Sequence, residues 1–143
     1  MVIPNLKGKD KGSVLREMAE WMAARQSSFD ATRALEALLG RERDGTTAIG
    51  DGVAIPHAKM AGVRQVCGLF ARSAEGVDFQ SLDGNLTHLF FLLIAPENSP
   101  GDHLKALARI SRLLKDAGFR ARLMKGKTAE EIFTIIREED EKL

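Results

Sequence analysis

The run HLFFLLIA, His88 to Ala95, follows one histidine with seven apolar residues in succession. Eight residues are far too few for a helix that crosses a bilayer. A continuous apolar run of that length reads as a strand covered on both faces. This one element decides the architecture, because each face of its sheet needs a cover and amphipathic helices are the economical way to supply it.

Working outward, VRQVCGLFARS (Val63 to Ser73) reads as a second strand. Val66, Gly68 and Phe70 alternate with Cys67, Leu69 and Ala71, and both sets are apolar enough to be buried. The intervening GVDFQSLDGN is a loop with a turn signal at Asp83-Gly84. Upstream, Lys11 to Gln26 has helical spacing in Val14, Leu15, Met18 and Met22, with Asp10 or Ser13 as the cap. SSFD (Ser27 to Asp30) breaks that pattern. Asp30 then caps a second helix carrying Leu35, Leu38 and Leu39, with Gly40 near its end as a C-terminal cap. Downstream, Ser99, Pro100 and Asp102 open a helix whose apolar stripe is Leu104, Leu107, Ala108 and Leu114. A short helix covers Ala117 to Met124. Thr128 and Glu131 form a capping-box pattern for a last helix that turns Ile132, Ile135 and Ile136 inward. The expected fold is a single α/β domain over residues 1–143. It is a sandwich with a central mixed β-sheet flanked by helices on both faces.

Composition narrows the function. The formal charge is +1, which gives no broad attraction to nucleic acid or membrane surfaces. The single cysteine, Cys67, excludes an internal disulfide and suits a reducing cytoplasm. The N-terminal MVIPNLKGKDKG has no signal-peptide core.

Chemistry concentrates around GTTAIGDGVAIPHAK, Gly45 to Lys59. Pro56 fixes its own φ and biases Ile55 toward an extended conformation, so His57 stands at the end of a pre-organised strand. Such a histidine is either a working group or an ordinary polar residue where a strand meets a loop. The glycines match neither a P-loop nor a dinucleotide fingerprint, so a nucleotide site is unsupported. His103 lies in a first helical turn, where the dipole favours a nearby anion and disfavours an imidazolium. His88 reads as a strand-end residue. Arg41 ends the second helix, either bonding its last carbonyls or reaching an anion on the loop. Glu42 and Arg43 read as solvated. The Thr46 and Thr47 hydroxyls either bind an anion or shape a turn.

The stretch RERDGTTAIGDGVAIPHAK, Arg41 to Lys59, resembles the active-site signature of the enzyme IIA domains of the bacterial phosphotransferase system, fructose–mannitol and nitrogen-regulatory family. The resemblance continues through GVDFQSLDGN, APEN, HLKALARISRLLKD and KTAEEIFTIIREEDE, and so covers essentially the whole chain. Ala48, where many relatives have glycine, is a minor departure, and no role carries over to His88. The resemblance implies a phosphohistidine carrier without cofactor or metal. His57 would accept a phosphoryl group from the phosphocarrier protein HPr, His103 would support it, Arg41 would neutralise charge, and Thr46 and Thr47 would contact phosphate. The onward partner would be a IIB domain in a sugar-specific version, or regulated target proteins in a nitrogen-regulatory one. A single domain with no attached IIB or membrane segment, and a lysine two residues after the histidine, favour the regulatory version. A docking face of Ala54, Met60 and Phe90 is a further expectation. A module with a vestigial histidine fits poorly, since both histidines and Arg41 are intact. A zinc site of His57, His88 and His103 lacks ligand spacing.

Overall fold

The computed structural model describes residues 1–26 and 29–142. The elements run β1 (Val2–Ile3), α1 (Lys11–Arg25), α2 (Ala31–Arg43), β2 (Ala48–Gly50), β3 (Val53–Ala54), β4 (His57–Met60), β5 (Cys67–Val77), β6 (Thr87–Pro96), α3 (Pro100–Leu114), α4 (Ala117–Lys125) and α5 (Ala129–Glu141). The break in helical pattern expected at SSFD falls partly on Ser27 and Ser28, outside the described residues.

The apolar run is indeed the central strand. Strand order is β1-β5-β6-β3-β2, with β4 also paired to β6. β5 runs antiparallel to β6 with Phe70 opposite Phe91, whereas β3 and β4 run parallel to β6, so the sheet is mixed. Alternation assigns the two faces. Phe90, Leu92 and Ile94 join Leu69 and Ala71 under α1 and α2, through Val14, Leu15, Met18 and Leu38. Leu89, Phe91 and Leu93 join Phe70 under α3, α4 and α5, through Leu114, Phe119, Leu123 and Ile132.

Several boundaries differ from expectation, each for a local reason. β5 starts four residues later than Val63, because Cys67 already faces Ile94 and β6 ends at Pro96. It extends past Ser73 through a bulge that carries Gly76 at φ +89°. Gly40 lies inside α2 and does not cap it. The helix-favouring Arg41, Glu42 and Arg43 carry the helix onward, and the left-handed glycine is Gly45 at φ +143°. Asp10 caps α1, and Ser13 is its reciprocal partner. Ser99 holds the N-cap position of α3 without a side-chain bond, so Pro100 and the first-turn Asp102 mark that start. Thr128 accepts the Glu131 N–H at 3.1 Å, but the Glu131 carboxylate reaches back to the Lys127 N–H at 3.2 Å. The phase of α3 is also different. His103 is buried, so the inward line is His103, Leu107, Ile110 and Leu114, and Leu104 and Ala108 turn outward.

Among the described residues, Arg72 is a buried cation that sequence pattern does not explain. Its guanidinium donates to the carbonyls of Pro4 (2.9 Å), Leu123 (2.9 Å), Met124 (3.2 Å) and Gly126 (2.6 Å). It thereby serves carbonyls at the end of α4 that lack helical partners.

Candidate functional site

β3 and β4 lie in line along β6, with Ala54 opposite Phe90 and His57 opposite Leu93. Pro56 has no N–H for the ladder, so pairing with β6 lapses at Ile55 and resumes where the Pro56 carbonyl takes the Leu93 N–H at 2.9 Å. His57 therefore opens a strand; it does not close one as the sequence suggested. The lapse has a chemical result. The Ile55 carbonyl lies 2.7 Å from Nδ1 of His57. A carbonyl only accepts, so Nδ1 carries the proton and Nε2 keeps its lone pair.

His103 reaches the same place from the first turn of α3. The two imidazoles meet edge to face, with centroids 5.3 Å apart and planes at 78°. His103 is 5 % exposed, and its Nε2 is buried with no hydrogen-bond partner among the described residues. Burial pushes both imidazoles below the ordinary histidine range. Arg41 adds to that for His57, against the Ile55 carbonyl and Glu42; His57 and Lys59 add to it for His103. Two neutral rings side by side make a nucleophile and a hydrogen-bonding neighbour.

A cleft of about 530 Å³ opens on the pair. Arg41, Asp44 and Lys59 supply its charged lining; Ala37, Pro100, Leu104 and Leu107 supply apolar walls. Arg41 donates from Nη1 to the Gly45 carbonyl at 3.0 Å, just past the end of its own helix. Sequence patterning assigned no site role to Lys59. The signal was available, since a strand repeats its face every two residues and Lys59 follows His57 by two.

Other expected residues lie elsewhere. The Thr46 hydroxyl donates to the Phe79 carbonyl at 2.8 Å. The Thr47 side chain is buried, and its hydroxyl donates to the Glu42 carboxylate. Neither threonine lines the cleft. Glu42 is not solvated: it is buried, takes the Thr47 N–H at 3.1 Å and pairs with Lys11 at 2.8 Å. Arg43 is exposed. His88 donates from Nδ1 to the Ser73 carbonyl at 3.0 Å and does not join the other two histidines. Ala54, Met60 and Phe90 are buried in the core and form no docking face. The apolar residue at the cleft mouth is Leu104, 67 % exposed, left outside by the phase of α3.

A family model described as phosphoenolpyruvate-dependent sugar phosphotransferase system, EIIA 2, matches residues 1–139. The chain belongs to this EIIA family. It is 44% identical over 135 residues to a nitrogen regulatory protein of Bradyrhizobium diazoefficiens, covering 94% of this chain and 88% of that one. It is 39% identical over 136 residues to the fructose-specific EIIABC component of Bacillus subtilis, covering 95% of this chain and 21% of that protein. Among solved structures, the nitrogen regulatory protein IIA-Ntr of Neisseria meningitidis superposes with a TM-score of 0.87 at 35% identity, covering 94% of this EIIA and 91% of that chain. EIIA domains are phosphotransferase components. Among the described residues, no helix is long and apolar enough to cross a membrane.

Proposed function

We propose that this EIIA carries a phosphoryl group on Nε2 of His57, received from phospho-HPr in the cytoplasm, and that its phosphorylation state governs which proteins it binds. The observation that carries the reading is the 2.7 Å contact from Nδ1 to the Ile55 carbonyl, which leaves Nε2 as the nucleophilic atom of a side chain lining the cleft.

Nε2 attacks phosphorus as the donor's P–N bond breaks, and the donor imidazole leaves with the electron pair. His57 keeps its Nδ1 proton, so its ring gains positive charge as the new bond forms. The Ile55 carbonyl stabilises that charge. The phosphoryl oxygens are served by Arg41, Lys59, a neutral His103 and the N-terminus of α3. Transfer of this kind needs alignment and charge neutralisation, which side chains fixed on packed elements provide.

The nitrogen-regulatory reading is supported by the relative that shares 44% identity and is matched over 88% of its length. A fructose-type carrier that hands its phosphate to a IIB domain is the second reading, supported by the 39% identity to the EIIABC component. Incubation with enzyme I, HPr and phosphoenolpyruvate tests the common step. An acid-labile, base-stable label on wild type and none on His57→Ala is expected; equal labelling of the variant refutes the assignment. Adding a purified fructose-type IIB to the labelled protein separates the two readings. Rapid loss of label to IIB supports the sugar-specific one.

A further inference from the structure

Behind the cleft lies a buried charged cluster that the mechanism above does not use. Glu42 occupies the last turn of α2, directly after Arg41. Its side chain is 5% exposed, and its carboxylate serves three donors. One oxygen takes the Thr47 N–H and Lys11 Nζ; the other takes the Thr47 hydroxyl. Lys11, the first residue of α1, also stands 4.6 Å from the centre of the Phe79 ring and 3.2 Å from Gln80 Oε1.

The geometry leads to Arg41. The loop from Asp44 to Thr47 leaves α2 at the Arg41 end. Its middle carbonyl, on Gly45, receives the Arg41 guanidinium, and the Gly45 N–H donates to the Glu42 carbonyl at 3.1 Å. Its far end, Thr47, is held by the Glu42 carboxylate through two bonds. An unpaired carboxylate near the cleft would repel an incoming phosphate, and Lys11, 2.8 Å from it, offsets part of that charge.

We propose that Glu42 is a positioning residue for phosphoryl acceptance: paired with Lys11, it clamps the loop that aims Arg41 and sets the fixed negative charge behind His57. This rests on His57 being the acceptor only for its kinetic arm. The electrostatic arm stands on the fold. The charged and titratable groups around His57 come from four elements and one loop. They are Arg41 and Glu42 of α2, Asp44 beyond it, Lys59 of β4, His103 of α3, and Lys11 of α1 behind Glu42. Glu42 favours the His57 imidazolium and Arg41 opposes it.

The test is an NMR titration of the His57 ring in three proteins, and it needs no phosphoryl transfer. Glu42→Gln removes the negative charge and shifts the His57 titration to lower pH. Lys11→Met removes the compensating cation and shifts it to higher pH. Loosened packing would move both variants the same way. Shifts of the same sign, or no shift in either, overturn the proposal. If Glu42→Gln does not fold, Lys11→Met is read beside Lys11→Arg, which keeps the cation: an upward shift in Lys11→Met with none in Lys11→Arg supports the proposal, and equal shifts in both overturn it. In the kinetic arm, Glu42→Gln slows acceptance from phospho-HPr about tenfold when Arg41 is present and much less in an Arg41→Ala background, as expected for coupled neighbours. Equal slowing in both backgrounds overturns the link to Arg41. If wild type accepts no phosphate at all, the proposed function fails while the opposite NMR shifts still stand.

Discussion

Replacing His103 by leucine should make the protein more stable and less able to transfer phosphate. The side chain is 5% exposed, and its Nε2 is buried with no partner among the described residues. A buried polar atom left unpaired costs about 1–3 kcal/mol. Leucine removes that cost, but its branched shape replaces a flat ring packed against His57, which returns part of the gain. A net stabilisation of about 1 kcal/mol remains, or about 2–4 °C in Tm for a domain near this size. The pH dependence has a definite sign. Burial holds the folded His103 below its ordinary value of 6.5. The unfolded chain therefore binds the extra proton first as pH falls through 6.5, and stability drops from there down to the folded value, by at most roughly 1.4 kcal/mol per pH unit for one group. His103→Leu lacks this loss, so its advantage should grow between pH 7.5 and pH 5.5. Thermal melts by circular dichroism at both pH values measure this. A variant that melts at or below wild type at pH 7.5, or an advantage that does not grow in acid, refutes the reasoning. That outcome would show the cleft giving up stability to keep an unpaired nitrogen beside His57.

Other outcomes are open to direct measurement. Arg72→Leu leaves the carbonyls of Pro4, Leu123, Met124 and Gly126 without their donor; it should cost about 3–5 kcal/mol in urea unfolding, as for other buried charged networks. Gly76→Ala would put a Cβ 2.8 Å from the His88 ring and 2.9 Å from Leu86 at φ +89°, and should lower stability by about 1–3 kcal/mol in the same assay. Arg41→Lys keeps the charge but loses the planar fork; acceptance from phospho-HPr, followed by quench-flow, should slow while Tm stays level. Leu104→Asp alters an exposed side chain, so stability should hold within about 0.5 kcal/mol. Partner transfer, assayed with phospho-HPr, should weaken.

What the sequence made legible follows from how local each signal is. HLFFLLIA identified the central strand because burial on both faces leaves no polar residue to interrupt the run. Asp30 was a readable cap, and the α1 cap was narrowed to Asp10 or Ser13, because capping is decided within three residues. The His57–His103 pair was approachable only through the resemblance. The two lie 46 positions apart, and nothing in either segment says that β4 and α3 converge. Glu42 was misread for the complementary reason. A carboxylate next to two arginines looks solvated until Lys11, from another helix, supplies its buried counter-charge. Leu104 was misplaced by a single step of about 100° around α3, and only the inward turn of His103 fixes that phase.

The carbonyl that selects the His57 tautomer belongs to the backbone, and this bears on how the site can change over time. Histidines oriented by a carboxylate can be disarmed by one substitution of that partner. Here no single side-chain exchange at residue 55 deletes the acceptor. The vulnerable position is Pro56, where any other residue would regain an N–H and with it a competing choice of pairing along β6. Drift in this region should therefore be free at the side chain of Ile55, within its packing limits, and blocked at the proline. The tautomer is, in effect, inherited through chain geometry.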